Sequence, residues 1–236
     1  LSVVDCTLSD NSAATLGGAI NSTGVLTVTR CTFSHNDAPN GGGGIVSFGA
    51  LTVVDSTFIG NTGGEAGAIA SLGALTVSGS TFSANSALIG GAVACDSPAM
   101  VTNSTFYSNT AEAFGGGIAA NTDCALTLSH CTFSGNAGGY DERFGRLGGA
   151  IAAFGVLSYT HTIIADSVNG GCRLLGDGTV ALNTSNLVED GSCGADLMRD
   201  PQLSPLADHG GPTHTMAPLP GSPALNAGDA STCPAA

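Results

Sequence analysis

Residues 26–36 read LTVTRCTFSHN, and residues 51–61 read LTVVDSTFIGN. The frame returns at 75–85 (LTVSGSTFSAN), 99–109 (AMVTNSTFYSN) and 126–136 (LTLSHCTFSGN). Looser copies open the chain at 1–11 and follow at 157–167 and 180–190. The copies begin at residues 1, 26, 51, 75, 99, 126, 157 and 180, so the period runs from 23 to 31 residues. A period of this size marks stacked units that cannot bury their apolar faces alone.

Within each copy, positions one and three are apolar, position six is small, position eight is aromatic or aliphatic, and position eleven is usually Asn. Side chains alternate across a strand, so positions one and three share a face, as do six and eight. A third apolar element follows a short loop, as in Gly17–Ile20, Gly42–Ile45 and Gly148–Ile151. No segment carries a useful 3.6-residue period. Three short strands per turn predict a solenoid in which each strand pairs in parallel with its equivalent one coil later, about 4.8 Å away. Parallel crossovers are overwhelmingly right-handed. The expected fold is therefore all-β, a single-stranded right-handed parallel β-helix of about eight coils. The leucine-rich repeat shares this period, but its L-x-x-L-x-L-x-x-N pattern is absent.

Three interior rows follow from that register. Position eight stacks Leu8, Phe33, Phe58, Phe82, Phe106 and Phe133, continuing through Ile164 and Leu187. Position three runs from Val3 to Tyr159 and Leu182, and the third strand contributes Ile20, Ile45, Ile69, Val93, Ile118 and Ile151. Position eleven gives an asparagine ladder of Asn11, Asn36, Asn61, Asn85, Asn109 and Asn136, after which Ser167 and Asp190 replace it. An Asn at a tight corner tolerates left-handed backbone and bonds nearby main chain, so the row is read as structural. The paired glycines permit a bend or close coil packing. The repeats occupy 1–193, and the less regular 194–236 is expected to cap or pack on the same domain.

Composition bounds the function. The 236 residues include 36 glycines, no lysine and five arginines against 18 carboxylates, for a formal charge of −13. Nucleic acids and anionic membrane surfaces would be repelled. No apolar run approaches the roughly 20 residues that span a bilayer, so no direct membrane insertion is expected. The chain opens directly on strand-like LSVVDCTL without a visible signal peptide, which reads as a mature product or a fragment. Another segment or chain is expected to cover that open first coil, because solenoids need capped ends. Eight cysteines in an acidic, loop-rich chain favour an oxidising compartment.

The repeating F-x-x-N and G-G-A-[ILV] motifs over about residues 1 to 156 resemble the repeats of chlamydial-type polymorphic outer membrane proteins. NLVEDGSC at 186–193 and DPQLSPLADHGGPTHTMAPLPGSPALNAGD at 200–229 resemble the end module of bacterial choice-of-anchor surface proteins. Asn226 departs from that second pattern, where Asp is usual. Both resemblances imply an extracellular, cell-envelope setting and a right-handed β-helix; neither implies a reaction.

β-Helices also carry polysaccharide hydrolases, lyases and epimerases, and fold alone does not assign function. A polygalacturonase-like site needs NTD, a paired DD, GHG and R-x-K. This chain has only Asn121-Thr122-Asp123, which suits a corner turn. No G-x-S-x-G nucleophile motif occurs. The strongest break in the repeat is the insertion AGGYDERFGRL at 137–147, which brings Tyr140, Asp141, Glu142, Arg143 and Arg146. Insertions in solenoids project on one face and often bind, so these residues form the candidate binding loop. The competing reading is an ion-paired cover with no ligand.

Asp37, Glu65 and Glu112 share that corner with the insertion and read as a solvated acidic face, too sparse for calcium. Position five places Asp5, Arg30 and Asp55 in an outward charge ladder and stacks His130 on His161, without an evident third metal ligand. His209 and His214 flank a tail turn. No cofactor is expected. Cys6 and Cys31 share position six in adjacent coils, as a disulfide or as a reduced stack. Cys95 and Cys124 close the fourth and fifth coils at a similar corner and are expected to pair, and Cys172 and Cys193 in the last two turns are expected to staple the C-terminal end. Cys131 falls in the position-six row, and Cys233 is left over. The expected function is a non-catalytic extracellular scaffold or adhesion module that binds a protein or glycan through its corner loops. Two alternatives stand beside it: a polysaccharide-active enzyme, and a structural subunit of a larger surface assembly.

Overall fold

A computed structural model describes residues 1–142 and 145–228. The chain winds as a right-handed parallel β-helix with no α-helix among the described residues. Three long sheets form its walls. The first has eight strands, from Ser2–Val4 to Thr179–Thr184, and the second has eight, from Thr7–Ser9 to Leu187–Val188. The third has seven, from Ile20–Ser22 to Cys172–Leu174, so about seven full turns are followed by a partial eighth. A short four-stranded sheet, from Asp37–Ala38 to Thr110–Ala111, lines the corner after the asparagine row.

The interior follows the repeat frame. Phe33, Phe58, Phe82, Phe106 and Phe133 are fully buried and stack with ring centroids 4.6–4.9 Å apart and planes within 5–7°. Burying each such side chain stabilises by roughly 1.5–3 kcal/mol. From Asn11 to Asn109, each Asn donates its Nδ2 to the Oδ1 of the Asn in the next coil at 2.8–2.9 Å, and the ladder ends at Asn136. The same Oδ1 also accepts the preceding coil's Asn backbone N–H at 3.0–3.1 Å. The second Nδ2 proton goes to the position-eight carbonyl one coil back, as from Asn85 to Phe58 at 3.0 Å.

The left-handed residue at this corner is not the Asn. Position ten carries the positive φ, as at Asp10, His35 and Ala84 (53–57°), with glycine at Gly60 and Gly135. The Asn itself turns inward. Its amide is committed to the ladder, and the bend falls to the residue before it. Position five is the other left-handed corner, from Asp5 (53°) to His161 (49°).

Close coil packing explains one glycine row. A Cβ on Gly18, Gly43, Gly67, Gly91 or Gly116 would strike the carbonyl oxygen of the row's next glycine. Only a bare Cα lets successive coils meet there.

Two expectations change. The last coil slips by one residue, with a β-bulge where Leu157 faces Val180 and Ser158 faces Leu182. A one-residue slip exchanges faces. Leu182 is therefore half exposed, Asn183 sits opposite Tyr159, and Val188 rather than Leu187 takes the interior place opposite Ile164. Cys6 and Cys31 are free thiols. Each donates to its own corner carbonyl, Cys6 to Val4 at 3.1 Å and Cys31 to Thr29 at 3.2 Å. The Cys6 N–H donates to the Cys31 sulfur at 3.4 Å. Both copy the neighbouring serines, where Ser56 and Ser80 donate to Val54 and Ser78 while accepting the N–H of the coil before. Thiols aimed in parallel at carbonyls do not meet as a disulfide requires. Cys131 is also free and buried. Cys95–Cys124 and Cys172–Cys193 are disulfides, with Cα atoms 5.9 and 5.7 Å apart.

After the Ser192–Gly194 turn, the tail leaves the stack and returns along its side. Leu197 pairs with Leu187 at the last coil. Farther on, Thr213 donates to the Gly79 carbonyl at 2.9 Å, and Thr81 donates to the His214 carbonyl at 2.6 Å, four coils back. Antiparallel bridges at Leu203–Pro218 and Ala207–Thr215 make this segment a loose hairpin strap.

Candidate functional site

Within the insertion, Tyr140–Asp141 and Gly145–Arg146 pair as a small antiparallel ribbon, with Tyr140 opposite Arg146 and Asp141 opposite Gly145. Its base is held by Gly139 N–H donating to Ala113 at 2.7 Å and Leu147 N–H donating to Gly139 at 3.2 Å. Leu147 is buried with Ala152 and Leu175, beside the edge-to-face pair Phe114–Phe154. An apolar plug thus roots the ribbon, while Tyr140, Glu142 and Arg146 are exposed. Arg143 lies outside the described residues, as does Cys233.

Arg146 does not face open solvent alone. Its stem lies against Gly170, and its charge acts on Asp190. Asp190 belongs to a cavity of about 420 Å³ lined by Ile164, Ala165, Asp166, Ser167, Gly171, Glu189 and Asp190. Burial works to raise the Asp190 carboxyl. Hydrogen bonds from the Ser192 hydroxyl and from the Gly171 and Ser192 N–H groups, with the Arg146 charge, outweigh it and hold the group below the usual carboxylate range. Glu189 accepts the Asp166 N–H at 2.7 Å, and Asp166 accepts the Ser134 hydroxyl at 3.2 Å. The site is an anionic pocket with the Arg146 charge nearby.

The pocket carboxylates were not among the sequence candidates. The signal that points to them is the end of the asparagine row, where Ser167 and Asp190 stand in place of Asn. Once the ladder stops, that corner no longer fills itself. Asn186 also escaped notice. It sits buried at position six of the last coil, accepts the Thr162 N–H at 2.9 Å and donates to the Tyr159 carbonyl at 2.7 Å.

The remaining candidates lie elsewhere. Arg30 holds Asp5 through two hydrogen bonds of 2.7 and 2.8 Å, and that pairing lowers the Asp5 carboxyl. The His130 and His161 rings stack at 4.7 Å, and burial followed by the His161 charge lowers His130. No group of three His, Cys, Asp or Glu among the described residues is placed to hold a metal. Glu65 is raised by burial and then by the Asp96 charge. Asn121 donates to Asp96, and its carbonyl closes a turn with the Cys124 N–H at 2.9 Å, so the NTD tripeptide is a corner.

The family description "right handed beta helix region" matches residues 1–187. The chain belongs to this right-handed β-helix family. No curated protein and no solved structure matches it. The match ends inside the last coil, so the insertion and Ser167 fall within the family's repeats, while Glu189, Asp190 and the strap lie beyond them. β-Helix proteins are often surface proteins or polysaccharide-active enzymes.

Proposed function

We propose that this β-helix is a non-catalytic extracellular scaffold that binds a glycan at the ribbon and the adjoining acidic pocket. The observation that carries this reading is that Arg146, packed beside Gly170, sets its charge on Asp190, one of the residues lining the Asp166–Glu189–Asp190 cavity. Sugar hydroxyls would donate to the carboxylates, Arg146 would donate to ring or hydroxyl oxygens, and the exposed Tyr140 ring offers a flat apolar face. Asp190 is held as an anion, which suits an acceptor rather than a general acid. The two disulfides are compatible with an oxidising, extracellular setting. The motif resemblances to chlamydial-type and choice-of-anchor surface proteins support the same setting.

The test is binding of the full chain to an oligosaccharide array, followed by calorimetry with each hit. Arg146→Ala and Tyr140→Ala should each weaken binding at least about tenfold, a loss of 1.4 kcal/mol, with unchanged melting. Binding that survives both substitutions would refute the site. New reducing ends from the bound glycan would instead identify a polysaccharide-active enzyme.

A further inference from the structure

We propose that the outer face of the first sheet is an ice-binding surface. Positions two and four of each coil point outward there, giving two parallel rows. Register is straight from Ser2–Val4 through Leu126–Ser129 and on to Leu157–Thr160. Every row member from Ser2 to Thr160 is serine or threonine except Val4, Val54 and Met100. The rows carry no charged residue, although the chain holds a formal charge of −13.

The chemistry narrows the occupant. Rows without aromatics give a sugar ring nothing to stack on, and rows without aromatic or arginine anchors lack what usually dominates a protein interface. Rows without basic residues do not hold polyanions. What remains is a regular array of hydroxyls and methyls, interrupted by the exposed Met100 and the shallow depression beside it. Among the described residues, Thr27, Thr29, Thr52, Thr76 and Thr127 spend no side-chain hydrogen bond on the protein; Thr102, Ser129 and Thr160 are the exceptions. The free hydroxyls are left to water.

The lattice repeats about every 4.8 Å between coils and about every 6.6 Å between alternate residues of a strand. The coil repeat lies close to the shorter oxygen repeat on the prism planes of hexagonal ice, and the alternate-residue repeat falls somewhat below the longer one. The array is pre-ordered, because each strand is bonded on both sides and its inner face is fixed in the core, so little entropy remains to be lost on docking. A neutral water lattice matches a charge-free face. Ordered waters anchored by hydroxyls and held around methyls can merge with that lattice. The grid ends at a defined place: Ser129 bonds His130 and Thr160, and the bulge at Leu157/Ser158 breaks the register. The surface is separate from the ribbon pocket and does not rest on the glycan reading.

The test is partitioning of the full chain into a slowly growing ice front, with thermal hysteresis measured alongside. Enrichment in the ice fraction and a measurable freezing gap are expected. Thr76→Tyr with Thr127→Tyr, which break the centre of the grid, should abolish both. Thr122→Tyr, in an exposed corner turn off the sheets, should change neither. Circular-dichroism melting verifies that each variant is folded. Exclusion of the wild-type chain from ice overturns the proposal whatever the variants do. So does undiminished enrichment of the folded double variant. Adsorption to crystalline cellulose or chitin without ice binding also overturns it and names a glycan lattice as the occupant.

Discussion

Asn85 spends its whole amide on the ladder: Nδ2 donates to Phe58 and Asn109, and Oδ1 accepts two protons from Asn61. Replacing it with leucine strands donors above and acceptors below in a dry interior. At about 1–3 kcal/mol for each unsatisfied group, Asn85→Leu should cost at least 2–4 kcal/mol, read by denaturant unfolding. The Cys131 thiol offers a contrasting case. Burial pushes it from 9.0 up to about 12. The unfolded chain then loses this proton at lower pH than the folded one, so stability is intact below pH 9 and falls as pH rises from 9 towards 12. Cys131→Ser keeps the corner hydrogen bond, as Ser56 and Ser80 do, and should remove this part of the alkaline loss. In the native protein a thiol reagent should label exposed Cys6 and leave Cys31 and Cys131 unreacted. The identity of each ladder residue was legible in the sequence because interior rows repeat with the period. Which residue turns the corner was not. Position ten varies among Asp, His, Gly, Ala and Ser, and only backbone geometry shows that it takes the left-handed conformation.

At the scale of the element, strands of two to six residues are stable only as members of stacks. The glycine row shows how tightly the coils must meet. Gly91→Ala would drive a Cβ into the Gly116 carbonyl and should destabilise by more than about 2 kcal/mol, whereas Gly24→Ala, which meets nothing, should stay within roughly 0.5 kcal/mol. Thermal melts of the two variants provide the comparison. The insertion at 137–147 is an element of another kind. Its length was plain from the broken spacing, but its direction depended on Leu147 finding the pocket beside Leu175, a contact with no sequence period behind it. The eighth coil escaped the sequence frame for a similar reason. A bulge inserts one residue, and the apolar pattern VALNTSNLV supports either register until neighbouring strands choose.

For the molecule as a whole, the stack resembles a one-dimensional chain of rungs whose ends are its weakest points. The C-terminal end carries its own fastener in Cys172–Cys193, which closes a 21-residue separation. Replacing both cysteines with alanine should cost about 3 kcal/mol by loop-closure entropy. Hydrogen exchange should then show the last coil opening before the phenylalanine stack. The strap, which joins coil eight to coil four through Thr213 and His214, should become more open to protease in the same variant.

Sequence alone determined the solenoid, its direction of pairing, and the phenylalanine and asparagine rows. All of these follow from a period, and a period is visible in one dimension. Tertiary structure alone decided the acidic pocket and the arginine charge near it, the path of the strap and the parallel aim of the Cys6 and Cys31 thiols. Those features arise where the repeat lapses, so they depend on which residues from different coils and from the tail come to rest side by side.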